Sequence, residues 1–395
     1  MPDIATIGST DSIHVRNRCE AMARAGNAVS LFTARKEEGW DFPQIVPPPV
    51  RHRMPLPGLR MIETLVDQHR RIKHLPGDVY HCHYAASYWT TLAMLAANRP
   101  LVVSTMGGDV LLEEQRETRA VVARRTALTL RWADLVTVKS QRIRDRVMVM
   151  GVAPERVVEL NWGVDKRVFQ PRDRGAARAR LGLPADAFII LSPRILSPLY
   201  NQDVLIAAFA KVLREVPDAL LVIMDFAPVA EYRAKLLALA EDLEIRQRTL
   251  FMDPVPNQDM PEVYAGADVT VGIPNSDGLP MTLLESMACG TPNIIGAIPD
   301  YGDRFQADWE VVFSEIEPSA LARNIVALAT DAERRREITR AGLDLVARTA
   351  GLDDDAATLT RLITDLIARG RRCIPLRARL EGVRCLYQEM VSPWS

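Results

Sequence analysis

The feature that most limits the fold of this chain is a strand–helix alternation that runs to about residue 170, stops, and starts again. Residues 4–7 read as a strand ended by the turn Gly8-Ser9-Thr10-Asp11-Ser12. A helix follows from Ile13 to Ala25, with Gly26-Asn27 past its end, and residues 28–33 are strand again. Further short apolar runs at 78–83, 101–105 and 135–138 are separated by helical stretches. Parallel strands need a long crossover, and a crossover helix must bury its apolar stripe against the sheet. The pattern therefore predicts a parallel sheet covered by helices on both faces. Pro171-Arg172-Asp173-Arg174-Gly175 reads as a linker. The alternation then resumes, with strands at 188–192, 219–224, 249–252, 269–273 and 293–296 and helices at 203–215, 231–243 and 260–265. Helices from Pro318 to about Val346 and from Asp353 to Arg369 close the series. A chain of 395 residues exceeds one ordinary core. Two doubly wound α/β domains are expected, 1–172 and 173–368, with a basic tail over 369–395.

Composition mainly excludes. A net charge of −1 offers no general attraction to nucleic acid. The charge is uneven, since residues 1–172 carry +7 and the remainder −8. Solvated helix faces alone can produce such a split, but it also suits a basic first domain meeting an anionic acceptor or membrane surface. Five scattered cysteines with no Cys-x-x-Cys pair suggest a reducing compartment. Asp3 followed directly by a strand does not resemble a basic-then-apolar leader, and no apolar run has the length of a spanning helix. The expectation is a cytoplasmic protein, peripheral to the inner membrane face at most. No Gly-x-Ser-x-Gly elbow occurs. His81 and His83 share one side of a strand, but all six histidines precede residue 84 and no metal site is expected. Asp353-Asp354-Asp355 opens a helix, where acids are favoured in any case.

The stretch 275–292, Asn-Ser-Asp-Gly-Leu-Pro-Met-Thr-Leu-Leu-Glu-Ser-Met-Ala-Cys-Gly-Thr-Pro, carries the chemistry. It follows the strand at 269–273. Pro280 suits a helix start, Met281, Leu284 and Met287 make an apolar stripe, and Gly290 suits a left-handed stop. Unpaired amides at the helix start, with the positive end of the dipole, would face a ligand beyond the strand edge, and phosphates favour that position. Asp277 in the loop can reach sugar hydroxyls, and Glu285, after seven intervening residues, can hold a vicinal diol such as ribose. A nucleotide-sugar fits between them. Taken singly, Asp277 is an ordinary turn residue and Glu285 an ordinary helix residue. Arg194 alone could be a surface ion-pair arginine.

On these residues the chain resembles the retaining GT-B glycosyltransferases of the GT4-like group over nearly its whole length. Ala133-Asp-Leu-Val-Thr-Val-Lys-Ser140, Gly151, Asn161-Trp-Gly-Val-Asp165, Phe169 and Pro171 resemble the end of that family's first domain. Ser192-Pro-Arg-Ile195 is similar to its phosphate-binding arginine segment, and Asp203–Phe209 to the helix that follows. The resemblance implies two Rossmann-like domains facing each other across a cleft. It implies sugar transfer from a nucleotide-diphosphate sugar to a sugar, glycan or lipid-linked acceptor, with no metal or other cofactor. It makes Arg194, Asp277 and Asp109 the catalytic set. The donor would meet Arg194, Tyr200, Asn201, Asp277, Gly278, Leu279, Met281, Thr282 and Glu285. Ser9, Thr10, Asp11, His83, Met106, Gly107 and Gly108 would line the acceptor side. In that family the last helix returns to the first domain, a course that Leu386, Tyr387 and Trp394 could anchor, while the tail's arginines could instead sit on anionic lipid. Four positions depart from the pattern. Tyr200 stands where the family has a lysine, Asp277 where it has glutamate, Met106 where it has histidine, and Met224-Asp-Phe-Ala227 where it has Gly-x-Gly. A non-catalytic relative that binds a nucleotide or a protein, and a nucleotide-sugar epimerase on the same fold, are the rival readings.

Overall fold

The computed structural model describes residues 1–53, 56–111, 120–277, 279–302 and 304–391. They divide into two compact units, one of Met1–Trp162 with the chain from Leu352 onward, the other of Gly163–Gly351. The strands of the first unit are β1 (Asp3–Ile7), β2 (Ala28–Phe32), β3 (Gln44–Ile45), β4 (Val79–His83), β5 (Leu101–Ser104), β6 (Leu135–Val138) and β7 (Val157–Glu159). Their order is β3-β2-β1-β4-β5-β6-β7, and every pairing is parallel. The second unit holds β8 (Ile189–Ser192), β9 (Leu220–Met224), β10 (Thr249–Met252), β11 (Val269–Gly272), β12 (Asn293–Gly296) and β13 (Val312–Ser314). Their order is β10-β9-β8-β11-β12-β13, again all parallel. Both sheets are doubly wound, as the alternation predicts. The edge strands β3, β7 and β13, two or three residues each, were too short to show a pattern.

The period of two along each strand loads both faces of the first sheet with apolar groups. Ile4, Val79, Val102 and Leu135 face one side, where helix Ile13–Arg24 contributes Val15, Cys19 and Met22. Helix Leu352–Arg369 completes that layer with Leu352, Ala356, Leu359 and Ile363. On the other side, Ile7, Tyr80, Cys82, Val103, Val136 and Val138 pack with Ile374, Ala378 and Leu386, the last two on helix Leu376–Val391. The division expected at 368 thus moves to 351, because the apolar stripe of helix Leu352–Arg369 has its partners in the first unit. The division expected at 172 moves to 162, because Val164 and Phe169 sit in the core of the second. Leu386 does anchor the returning tail, whereas Tyr387 is exposed and Trp394 lies outside the described residues. The single helix expected over 318–346 is two, Pro318–Thr330 and Ala332–Thr349. Asp331 separates them by capping the second, its carboxylate accepting from the Glu333 and Arg334 amides.

Where the chain enters the second unit it runs beside the segment about to leave it. The Val164 amide donates to the Ala350 carbonyl at 2.9 Å, and Val164 pairs with Gly351 in a parallel bridge. A Cβ on Gly163 would lie 2.0 Å from the Ala350 carbonyl oxygen, a backbone atom with no rotamer to escape by. Gly163→Ala is expected to cost at least about 3 kcal/mol, read as a lowered urea midpoint with unchanged slope. A wild-type midpoint would rule out the close approach.

Candidate active site

In a doubly wound sheet the loops leaving two neighbouring strands in opposite directions open a crevice at their carboxyl ends. In the second unit those strands are β8 and β11, paired Val269 with Ile190 and Thr270 with Leu191. Pro193 and Arg194 follow β8 directly, and residues 273–280 follow β11 and lead into helix Met281–Ala288. The helix starts at Met281, one residue later than expected, with Pro280 at its N-cap and no side-chain cap on its first amides. An uncapped start leaves those donors to a ligand.

The two loops are tied together. Asn201, in the left-handed region at φ 52°, donates from Nδ2 to the Ile273 carbonyl at 2.8 Å and to Asn275 Oδ1 at 2.9 Å. The Asn275 amide donates back to the Leu199 carbonyl. The Asn201 amide nitrogen is thus spent on holding the loops in register. Across this frame the Arg194 guanidinium donates to Asp277 Oδ2 at 2.6 Å and to Thr282 Oγ1 at 3.1 Å, and it lies over the Tyr200 ring with its carbon 4.2 Å from the centroid. The Tyr301 hydroxyl donates to the same Asp277 oxygen at 3.1 Å. Burial disfavours the charge on Arg194, but Asp277, Tyr200 and Tyr301 together outweigh it, and the pKa ends above the usual arginine range. A cleft beside Arg194 is lined by Pro193, Pro274, Pro280, Thr282 and Tyr301.

Glu285 faces inward. Its side chain is in the core layer, where Oε2 accepts from the Tyr264 hydroxyl at 2.9 Å. Burial raises its pKa to about 7, against the opposing pull of Tyr264 and Arg194. Leu279 is buried and Met281 partly so, which leaves their backbone rather than their side chains to the crevice. Gly278 lies outside the described residues.

The switch point of the first unit lies between β1 and β4. After β1, the Ser9 hydroxyl donates to Asp11, the Thr10 hydroxyl donates to the Arg35 carbonyl, and Asp11 pairs with Arg35. At the end of β4 the buried Arg18 reaches His83 Nδ1 at 3.2 Å and the Met106 sulfur at 3.1 Å, with its guanidinium 4.8 Å from the Trp162 ring. Arginine only donates, so Nδ1 of His83 accepts and the ring proton sits on Nε2. That N–H and the Trp162 indole N–H are buried without a protein partner among the described residues. Burial, with Arg18 and His81 adding to it, holds His83 neutral, and burial lowers Arg18 itself to about 9.

Asp109 belongs to this unit, not to that of Arg194 and Asp277. Fully buried, it accepts from the backbone amides of Ala85 at 2.5 Å and of Met106 and Gly107 at 2.9 Å. Burial raises its pKa, and those amides oppose the rise. Its carboxylate shapes the 106–108 loop, where Gly107 takes φ +112° and Gly108 is exposed. Asp109→Ala would leave three amides unpaired and is expected to cost about 2–4 kcal/mol, measured by urea unfolding. A loss under 0.5 kcal/mol would show that the loop holds itself.

Two participants escaped the sequence reading. Tyr301 gives no signal, lying in an unremarkable Pro-Asp-Tyr-Gly segment. Arg18 does give one: Val15, Arg18, Cys19 and Met22 recur at the spacing of one helix face, so a cation stands in an apolar stripe.

Two doubly wound units, one with an arginine and an uncapped helix start at its switch point, define an α/β protein suited to phosphorylated ligands. The second unit matches the model for glycosyl transferases group 1 over residues 173–344, and the first matches glycosyltransferase family 4 over 12–168. D-inositol 3-phosphate glycosyltransferase 1 of Catenulispora acidiphila is 29% identical over 75% of this chain and 74% of its own length. The D-inositol 3-phosphate glycosyltransferase of Geodermatophilus obscurus is 29% identical over 95% and 91%. Anabaena HepE, solved with UDP-glucose, superposes with a TM-score of 0.76 at 17% identity, covering 93% of this chain and all of HepE. The chain belongs to the GT4-like glycosyltransferases of group 1 and has their GT-B fold of two parallel-sheet α/β domains.

Proposed function

We propose that this glycosyltransferase moves a sugar from a nucleotide-diphosphate sugar to an acceptor hydroxyl, with retention at the anomeric carbon and without a metal ion. The observation that carries the reading is Arg194, held at the helix start by Asp277, Thr282 and the Tyr200 ring. A planar guanidinium on a fixed mount, beside free helix amides, is suited to a diphosphate that gains charge as it leaves. That HepE was solved with UDP-glucose, and that the inositol phosphate enzymes above share both domains with this chain, supports the same reading.

In this mechanism the diphosphate takes the guanidinium that Asp277 now occupies, and Asp277 turns to a hydroxyl of the transferred sugar. The bond from the anomeric carbon to the diphosphate oxygen breaks. Charge passes to the oxygens facing Arg194 and the amides of Leu279, Met281 and Thr282. The acceptor oxygen attacks the same face, and its proton leaves on the departing phosphate. Tyr200 supplies no charge where a lysine would, so Arg194 carries more of the stabilisation alone.

A thermal-shift panel of UDP, GDP, ADP and TDP and their sugars on wild type and Arg194→Ala tests this. Nucleotide at 100 times its dissociation constant should add about 2.7 kcal/mol to stability. The expected result is a shift with one base that disappears in the variant. No shift with any nucleotide, together with no turnover, would leave a non-catalytic relative as the better reading.

A further inference from the structure

Helix Leu376–Val391 is apolar on two sides. Its inner face buries Ala378, Cys385 and Leu386, which suffices to dock it on the first unit. On its outer face, Leu376, Leu380, Val383 and Tyr387 are 71, 61, 54 and 45% exposed. Spaced four, three and four residues apart, they form one stripe about 60° wide at 100° per residue. Exposed Arg377 and Arg384 border it on one side and exposed Arg379 on the other. The acids of this helix turn away from that face. Glu381 pairs with Arg124 at 2.8 Å and Glu389 with the buried Arg125 at 2.5 Å.

A neighbouring helix repeats the arrangement. Helix Pro57–Lys73 packs beside helix Leu376–Val391 and exposes Leu59, Ile62 and Val66, continued along the same face by Arg70 and Lys73. Exposed apolar stripes with cationic borders on adjacent helices require a cover that is apolar at depth and anionic at its surface. A second copy of this chain does not supply one. A twofold contact would set arginine borders against arginine borders, and among the described residues of helix Leu376–Val391 no carboxylate lies on that face to receive them.

We propose that the first unit docks on an anionic lipid surface through the outer face of helix Leu376–Val391, with helix Pro57–Lys73 beside it. The apolar stripe lies among the acyl chains near the headgroups, and Arg377, Arg379 and Arg384 meet lipid phosphates at its margins. This inference stands apart from the sugar-transfer reading, because none of these residues belongs to the nucleotide crevice.

The test is co-sedimentation of the full chain with vesicles of phosphatidylcholine alone or with one-third phosphatidylglycerol, at low and high salt. Wild type is expected to bind the mixed vesicles, less so at high salt. Leu380→Ser with Val383→Ser should weaken partitioning at least about tenfold. Arg377→Gln with Arg379→Gln and Arg384→Gln should weaken it about a hundredfold and remove the preference for anionic lipid. Circular dichroism melts and the nucleotide thermal shift should be unchanged in both variants, so a failure here is separable from a failure at the crevice. Absence of binding to mixed vesicles at low salt would overturn the proposal, as would equal binding by wild type and the Leu380/Val383 variant. A wild-type dimer in sedimentation velocity, lost in that variant and without vesicle binding, would assign the face to a second copy instead.

Discussion

Arg194→Ala is expected to lower kcat/KM for nucleotide-dependent sugar transfer by about two to three orders of magnitude, with most of the loss in kcat. The reason is that Arg194 is the group that fixes a positive charge at the helix start, and Tyr200 does not duplicate it. Arg194→Lys keeps the charge but loses the fork that reaches Asp277 and Thr282 together, so it should fall between wild type and alanine. Without nucleotide, the alanine variant should lose about 1–3 kcal/mol, since Asp277 keeps the Tyr301 hydroxyl as a partner. Steady-state kinetics with the base found in the thermal panel decide the matter. A kcat within threefold of wild type would remove Arg194 from the reaction.

The second large effect runs in the opposite direction. Glu285 titrates near 7 when folded against 4.5 in an unfolded chain. Between those values the folded protein retains a proton that the unfolded chain has released. This group's contribution therefore makes stability fall as pH rises from about 4.5 to about 7, and at pH 8 the deficit is about 3 kcal/mol. Glu285→Gln should remove this deficit, raising stability at pH 8 and flattening the profile measured by urea unfolding from pH 5 to 8. If the ribose diol also depends on this carboxylate, the same variant should lose nucleotide binding, so that stability and function part company at one residue. An unchanged pH profile in Glu285→Gln would show that the buried carboxyl titrates normally.

Much of the fold was legible because strand and helix periods are local properties. The runs at 4–7, 135–138, 249–252 and 293–296 fall on β1, β6, β10 and β12. The crevice residues were legible for a related reason. A helix start after a parallel strand places Asp277 and Thr282 at a predictable edge, and Arg194 directly after β8 faces the same edge. What pairs with what was not legible. That Tyr200 would underlie the arginine, that Glu285 would turn inward to Tyr264, and that Asn201 would bridge two loops all depend on side-chain packing between distant segments. Nor does periodicity show to which sheet a terminal helix will return. Helix Leu352–Arg369 has an apolar stripe that either unit could have accepted.

That return sets an order for synthesis. The second unit is one continuous piece of chain, complete once Gly351 has left the ribosome. The first unit, although most of its residues precede the second, still lacks helix Leu352–Arg369 on one face of its sheet and Ile374, Ala378 and Leu386 on the other. Until helix Leu352–Arg369 emerges, Ile4, Val102 and Leu135 lack part of their cover. Of these two units, the one begun earlier is therefore finished later, and during elongation it must either wait partly open or be shielded by a chaperone. A stop codon shortly after residue 351 would leave the second unit whole and the first one aggregation-prone, although every residue of the first unit up to Trp162 would still be made.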